Sequence, residues 1–218
     1  MGITEKDFVE LEYTGKLVED NTIFDTTNEE IAKKAHLHNP QAKYGPMVIC
    51  VGQRQLLPGL EEAIKGKSPG KLNVKLTAEK AFGKKDAKLI QLIPTKKFLE
   101  SKIRPMPGLQ VNVDGALGVV KMVSGGRTIV DFNHPLAGKD VAYEIDVKRK
   151  ITDEKEQVEA LVKSMLGDVK VSYTEGTATL TLKKKLPGEA EKAIEKHITE
   201  LTKARKVAFS EEKSGGKA

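Results

Sequence analysis

Apolar and polar residues alternate over residues 7–14, with Phe8, Val9, Leu11 and Tyr13 as the apolar positions, and this pattern reads as a β-strand. Gly15 and Asp20-Asn21 punctuate it, and residues 22–26 read as a second strand. The polar stretch 27–46 holds one short helical pattern, EEIAKKAHL, capped by Asn28 and broken at Asn39-Pro40 and Gly45-Pro46. The apolar run PMVICVG (46–52) contains β-branched residues and predicts a buried strand. Pro58 opens a short amphipathic helix with Leu60, Ala63 and Ile64 on one face and Gly66 at its end. Leu72, Val74 and Leu76 then alternate as another strand.

From residue 84 the texture changes. KKDAKLIQLIPTKKF leads to a Pro-Met-Pro-Gly stretch at 105–108. LQVNV, LGVVKMV and RTIVDF follow, separated by Asp114-Gly115 and Gly125-Gly126, and these turn dipeptides predict a small β meander. After Asn133-His134-Pro135, the segment VAYEIDVKRKI (141–151) alternates in the style of the first strands. If it pairs with them, the meander is an insertion into one domain. Residues 152–218 read as a third unit of α-β-β-α-β pattern. Thr152 caps a helix to about Leu166, strands run over 169–173 and 177–183 around Glu175-Gly176, Pro187 opens a second helix, and 206–210 form a last strand. The tail EEKSGGKA is expected to be disordered.

Composition narrows the function classes. Of 218 residues, 39% are hydrophobic and 31% charged, enough apolar material for a packed core. The single cysteine, Cys50, excludes an intramolecular disulfide and a zinc site built on cysteines. No apolar run approaches the ~18 residues of a membrane span, and the first residues lack the apolar core of a signal peptide, so a cytoplasmic protein is expected. The net charge of +6 is uneven: residues 84–131 carry nine Lys/Arg against four Asp/Glu, whereas residues 153–218 carry thirteen against twelve. The functional reading of a basic middle segment is attraction to something anionic, such as nucleic acid or acidic client chains. Without interleaved aromatics or a nucleic-acid motif, the plainer reading, a solvated lysine-rich surface, is favoured.

No nucleophile–base motif is present. Cys50 lies inside an apolar strand, and His36 and His38 lack companions at ligand spacing, so neither a metal nor a cofactor is expected. The informative feature is an apolar set with polar tips: Tyr13, Phe24-Asp25, Leu56-Leu57-Pro58-Gly59-Leu60, Ala81-Phe82-Gly83 and Tyr143. The pieces VELEYTGKL (9–17), IFDTT (23–27), V-G-x-x-x-L-L-P-G-L-E-E-A-I (51–64), A-F-G (81–83) and FNHPLAGKDVAYEIDV (132–147) resemble FKBP-type peptidyl-prolyl isomerases, in order and with sensible spacing. The stretch between A-F-G and N-H-P-L-A-G is similar to the SlyD-like branch, which carries an insert-in-flap chaperone domain there. Length and architecture resemble the long archaeal-type members.

The resemblance covers about residues 6–150. It implies an α+β fold: an FKBP-type antiparallel sheet around a short helix, an inserted β-rich flap domain, and the C-terminal α-β-β-α-β domain. The corresponding boundaries are 1–86 with 130–151, 87–129, and 152–218. It implies catalytic positions at Tyr13, Asp25, Phe82 and Tyr143, and substrate-binding walls from Phe24, Met47, Leu56, Leu57, Leu60 and Leu136. Many family members have Trp where this chain has Leu60, and Tyr where it has Phe82; losing that hydroxyl removes a hydrogen bond to substrate. The His- and Cys-rich metal-binding tail of some SlyD proteins is missing.

The implied reaction needs no nucleophile. Rotation about X–Pro crosses a barrier of ~18–20 kcal/mol and breaks no bond. A dry pocket favours the less polar twisted amide over the dipolar planar one. The insert implies client capture, with Ile103, Met106, Leu109, Val111, Val120, Met122 and Ile129 as its apolar surface. Expected partners are therefore unfolded or proline-containing polypeptides, not membranes or nucleic acid. The C-terminal edge strand makes a homodimer one candidate assembly. The alternative reading is a non-catalytic holdase or peptide-binding module.

Overall fold

The computed structural model describes residues 2–211. In chain order the elements are β1 (Phe8–Leu17), β2 (Ile23–Thr26), α1 (Glu29–Lys34), β3 (Met47–Cys50), α2 (Pro58–Ile64), β4 (Gly70–Leu76), β5 (Ile90–Pro94), α3 (Thr95–Glu100), β6 (Gln110–Val113), β7 (Ala116–Ser124), β8 (Arg127–Asp131), β9 (Val141–Ile151), α4 (Glu154–Leu166), β10 (Lys170–Thr174), β11 (Thr177–Leu182), α5 (Gly188–Leu201) and β12 (Lys206–Glu211). Leu17–Asn21 and Lys75–Val141 pack as one unit, and the rest of the described chain packs as another. Residues 212–218, most of the tail expected to be disordered, lie outside the described residues.

In the larger unit, β2, β1, β9 and β4 form a sheet in that order, and β3 also pairs with β1. The β1–β3 pairing is antiparallel and sets Phe8 opposite Cys50 and Leu11 opposite Met47. A second sheet runs β10-β11-β12, antiparallel between the first two and parallel between the last two. One core joins distant parts of the chain: Phe8, Cys50 and Ile151 pack with Val158, Leu161 and Val162 of α4 and with Leu180, Ile198 and Val207. Each such aliphatic residue removed from water contributes about 1.5–3 kcal/mol. Polar contacts frame this core. Arg149 bonds Glu10 at 2.7 Å and also holds Glu156 of α4, while Lys43 pairs with Asp168.

α4 begins one residue later than the hydropathy pattern predicts. Its cap is Asp153, not Thr152, because the Asp153 carboxylate accepts the Glu156 N–H at 2.8 Å and answers the positive end of the helix. Asn28 caps α1 as expected, accepting from the Ile31 N–H at 3.1 Å.

The smaller unit is built on an antiparallel sheet of order β5-β8-β7-β6. Residues 84–104, to which the pattern assigns no element, contain β5 and α3. Ile93, Phe98, Val111, Val120 and Val130 form its core. The β6–β7 hairpin turns through Asp114 and Gly115, both with positive φ, as a two-residue turn of primed type requires. A bulge interrupts β7. Val120 pairs with Val130 and Met122 with Ile129, so Lys121 is the extra residue. Gly118 sits where a Cβ would fall 2.6 Å from Val130 and 2.7 Å from the Phe132 ring, so only glycine leaves room there.

Candidate active site

The site grows from a bulge between β1 and β2. Gly15 pairs with Asp25 but Lys16 pairs with Ile23, which leaves Phe24 as the extra residue on β2. Such a slip re-aims side chains, here Phe24 beside Asp25. Gly15 makes the arrangement sterically feasible. A Cβ on it would lie 2.8 Å from the Tyr143 ring and 3.0 Å from that of Phe24.

Tyr143, on β9, is the hub of the aromatic cluster. Its ring meets Tyr13 at 5.8 Å and Phe24 at 5.7 Å, both edge-to-face, the arrangement that ring quadrupoles favour. Tyr13 is fixed at both ends. Its N–H donates to Thr27 Oγ1 at 3.0 Å, and its carbonyl accepts from the Thr27 N–H at 3.0 Å and from Thr26 Oγ1 at 3.2 Å. Its hydroxyl donates to Asp25 Oδ2 at 3.0 Å. Burial, with the Asp25 carboxylate and its hydrogen bond beside it, pushes the Tyr13 phenol well above the usual tyrosine range. Burial and the same carboxylate raise Tyr143. Both phenols therefore stay neutral across the physiological range. Among the described residues, the Tyr143 hydroxyl has no hydrogen-bond partner.

Tyr13, Phe24, Asp25 and Met47 line a cleft of about 530 Å³. The sequence reading missed other parts of its wall: Leu37, Tyr44 and Pro46 from the long segment after β2, and Lys163 from α4. The lysine is 116 positions beyond Met47 and carries no motif, so no local signal announces it.

Leu56, Leu57 and Leu60 are not among the residues that line this cleft. Leu56 and Leu57 are half-buried in the approach to α2. Glu61, itself buried, holds that approach by accepting from the Gly52 N–H at 3.1 Å and the Leu56 N–H at 3.5 Å. Leu60 is 1% exposed and shares the inward face of α2 with Ile64, so it packs in the core.

Phe82 and Leu136 belong to the smaller unit. The Phe82 ring stacks on His134, with centroids 4.8 Å apart and planes 2° from parallel. His134 Nδ1 in turn accepts from the Leu136 N–H at 3.2 Å. Asn133 anchors this return: it donates to Asp131 Oδ1 from both its backbone N–H and its side chain and exchanges two further hydrogen bonds with the Asp86 backbone. The Gly138 N–H donates to the Gly83 carbonyl at 2.8 Å, joining the A-F-G and N-H-P-L-A-G segments.

Comparison with known proteins gives the family. The family profile described as FKBP-type peptidyl-prolyl cis-trans isomerase matches residues 2–104, and that described as FKBP26, IF domain, matches residues 91–136. A short-type peptidyl-prolyl cis-trans isomerase of Methanocaldococcus jannaschii is 33% identical over 147 residues, 67% of this chain and 92% of that protein. This chain belongs to the FKBP-type peptidyl-prolyl cis-trans isomerases. A probable FKBP-type 16 kDa isomerase of Pseudomonas fluorescens is 34% identical over 47% of the chain and 71% of its own length. SlyD of Aeromonas hydrophila is 31% identical over 47% of the chain and 50% of its own length.

The inserted unit of this FKBP-type isomerase sorts the apolar residues expected on its surface. Val111 and Val120 are buried, with Val120 at 0% exposure, and Ile103 and Leu109 pack against the same core. They are needed there because a unit this small has few other residues to exclude water. Met122 is 52% exposed and Met106 is also exposed. The bulge at Lys121 explains the split. Without it Val120 and Met122 would share a face; with it Val123 turns to the core and Met122 turns out. Met122 pairs with Ile129 and Ile129 with Leu92, so the three make one apolar row across the sheet. Leu92 was not anticipated, although the alternation of Ile90 and Leu92 carries its signal.

His38 lies 3.3 Å from Glu29 and stacks on Tyr44. Among the described residues no group of His, Cys, Asp and Glu is arranged to hold a metal ion, and no helix is long and apolar enough to cross a membrane.

Proposed function

We propose that this isomerase acts on X–Pro bonds in unfolded or partly folded polypeptides, with the cleft bounded by Tyr13, Phe24, Asp25 and Met47 as its prolyl site. The observation that carries the reading is the Tyr13–Asp25 hydrogen bond at the edge of a packed aromatic cluster. Half-buried rings offer little solvation to the dipolar planar amide. Twisting the bond reduces charge separation, so the cleft favours the transition state over the ground state. A carboxylate cannot donate to the client carbonyl. Asp25 instead orients the Tyr13 hydroxyl at the cleft wall, and Tyr143, buried and not among the residues that line the cleft, packs behind it.

Client capture is the second part of the proposal. Leu92, Met122 and Met106, exposed, with the half-buried Ile129 between the first two, form apolar surface of the kind that holds unfolded chain, and methionine adapts to varied partners. The test is cis/trans exchange in a short X–Pro peptide followed by NMR, with the wild type and with Tyr13→Ala. Acceleration by the wild type that falls at least tenfold in the variant, with the fold retained by circular dichroism, supports the cleft. Absence of acceleration by the wild type favours the holdase reading, and retained aggregation suppression then assigns the work to the apolar row.

A further inference from the structure

The prolyl cleft does not end at Met47. Pro46, Met47 and Lys163 line it and also line a second hollow of about 350 Å³. The second hollow has Val48 and Gln55 on one side and Ala160 and Ser164 of α4 on the other. Three shared residues set the two hollows side by side, and α4 lines this paired groove.

The charges along this groove are unequally satisfied. Glu156 is held by Arg149, and Glu159 pairs with Lys155 at 3.5 Å. Lys43 is held by Asp168. Lys163 is exposed, and among the described residues no carboxylate lies within ion-pair distance of it. Asp168, already engaged by Lys43, feels it only at longer range. The groove therefore presents one unclaimed cation at the point where its two hollows meet.

We infer that α4 extends the client-binding site, and that Lys163 selects clients carrying a carboxylate side chain a few residues from the isomerised proline. The occupant is the same extended chain that enters the prolyl cleft, because the second hollow adjoins that cleft across Pro46, Met47 and Lys163 and its mixed apolar and amide walls suit a peptide. The inference rests on the prolyl-site reading above. It also gives the C-terminal segment a place in substrate recognition.

The experiment compares kcat/KM for a tetrapeptide containing X–Pro and for two twelve-residue peptides. In these the positions two to four residues from the proline, on both sides, are all Glu or all Lys. The full-length wild type is expected to prefer the Glu peptide about fivefold, a partly exposed ion pair being worth up to ~1 kcal/mol. Lys163→Glu should invert the preference. Ser164→Trp, which fills the second hollow from an exposed helix position, should lower the ratio of long-peptide to tetrapeptide activity about threefold. A Glu/Lys ratio that Lys163→Glu leaves unmoved overturns the inference while the prolyl site stands. A wild type that fails to accelerate even the tetrapeptide overturns both.

Discussion

Around Tyr143, three rings pack edge to face, a hydroxyl is tied to a carboxylate and the strand is pinned by two threonines. Across the insert sheet, Leu92, Ile129 and Met122 stand in a row with no polar anchor. Both surfaces are made by the same backbone device, one extra residue in a strand. On β2 the bulge brings Phe24 into an ordered cluster; on β7 it turns Met122 out of the core. The difference teaches what each surface would have to do under the proposed function. Isomerisation needs groups held to fractions of an ångström, whereas capture of unfolded chain needs area and tolerance.

The strongest way to break this comparison is Gly15→Val. A side chain there collides with the Tyr143 and Phe24 rings, and kcat/KM on a tetrapeptide should fall about 100-fold, near 2.7 kcal/mol of transition-state stabilisation. Suppression of aggregation should persist in the same variant, and its loss would mean that the two surfaces are not separable. Next is the double variant Leu92→Glu with Met122→Glu. Catalysed refolding of a proline-limited protein should drop about tenfold, with tetrapeptide turnover within about twofold of wild type.

A smaller effect separates the two faces of the insert itself. Val120→Ala should cost about 2 kcal/mol in urea unfolding and Met122→Ala under about 0.5, because only the first leaves a cavity. Similar costs would show that the bulge does not divide the faces.

The smallest expected effect is on pH dependence. Tyr13 and Tyr143 have phenols raised above their unfolded value of ~10. Above that pH the unfolded chain releases these protons while the folded chain keeps them, so their stabilisation is intact below ~10 and is lost as pH rises. Tyr143→Phe should flatten the alkaline end of a plot of melting temperature against pH. An unchanged slope would show that the ring environment does not hold the proton.

Much of this was legible from the chain, for local reasons. Alternation located β1 and β9, Asn28 announced a cap, and Asp114-Gly115 announced a hairpin, since each depends on neighbours a few residues away. Tyr13, Phe24 and Asp25 were identified by family motif and Met47 as an additional wall, and the cleft brings these four together. What was not legible has a different cause. Leu60 sits among residues that could be wall or core, and only packing decides. Met122 and Val120 look equivalent until one extra lysine in the strand shifts the register. Lys163 reaches the cleft because α4 shares a core with Phe8 and Cys50, a contact that no local pattern encodes.

That shared core has a consequence for how the protein is made. Phe8 leaves the ribosome about 190 residues before Ile198, the partner it packs with in the same cluster. At ~5–20 residues per second the wait is about 10–40 s. Uncatalysed prolyl rotation takes ~10–100 s. β2 and β3 can pair with the first strand early, but the core around Phe8 is completed only when α5 and β12 arrive, a wait about as long as the reaction that the finished protein accelerates.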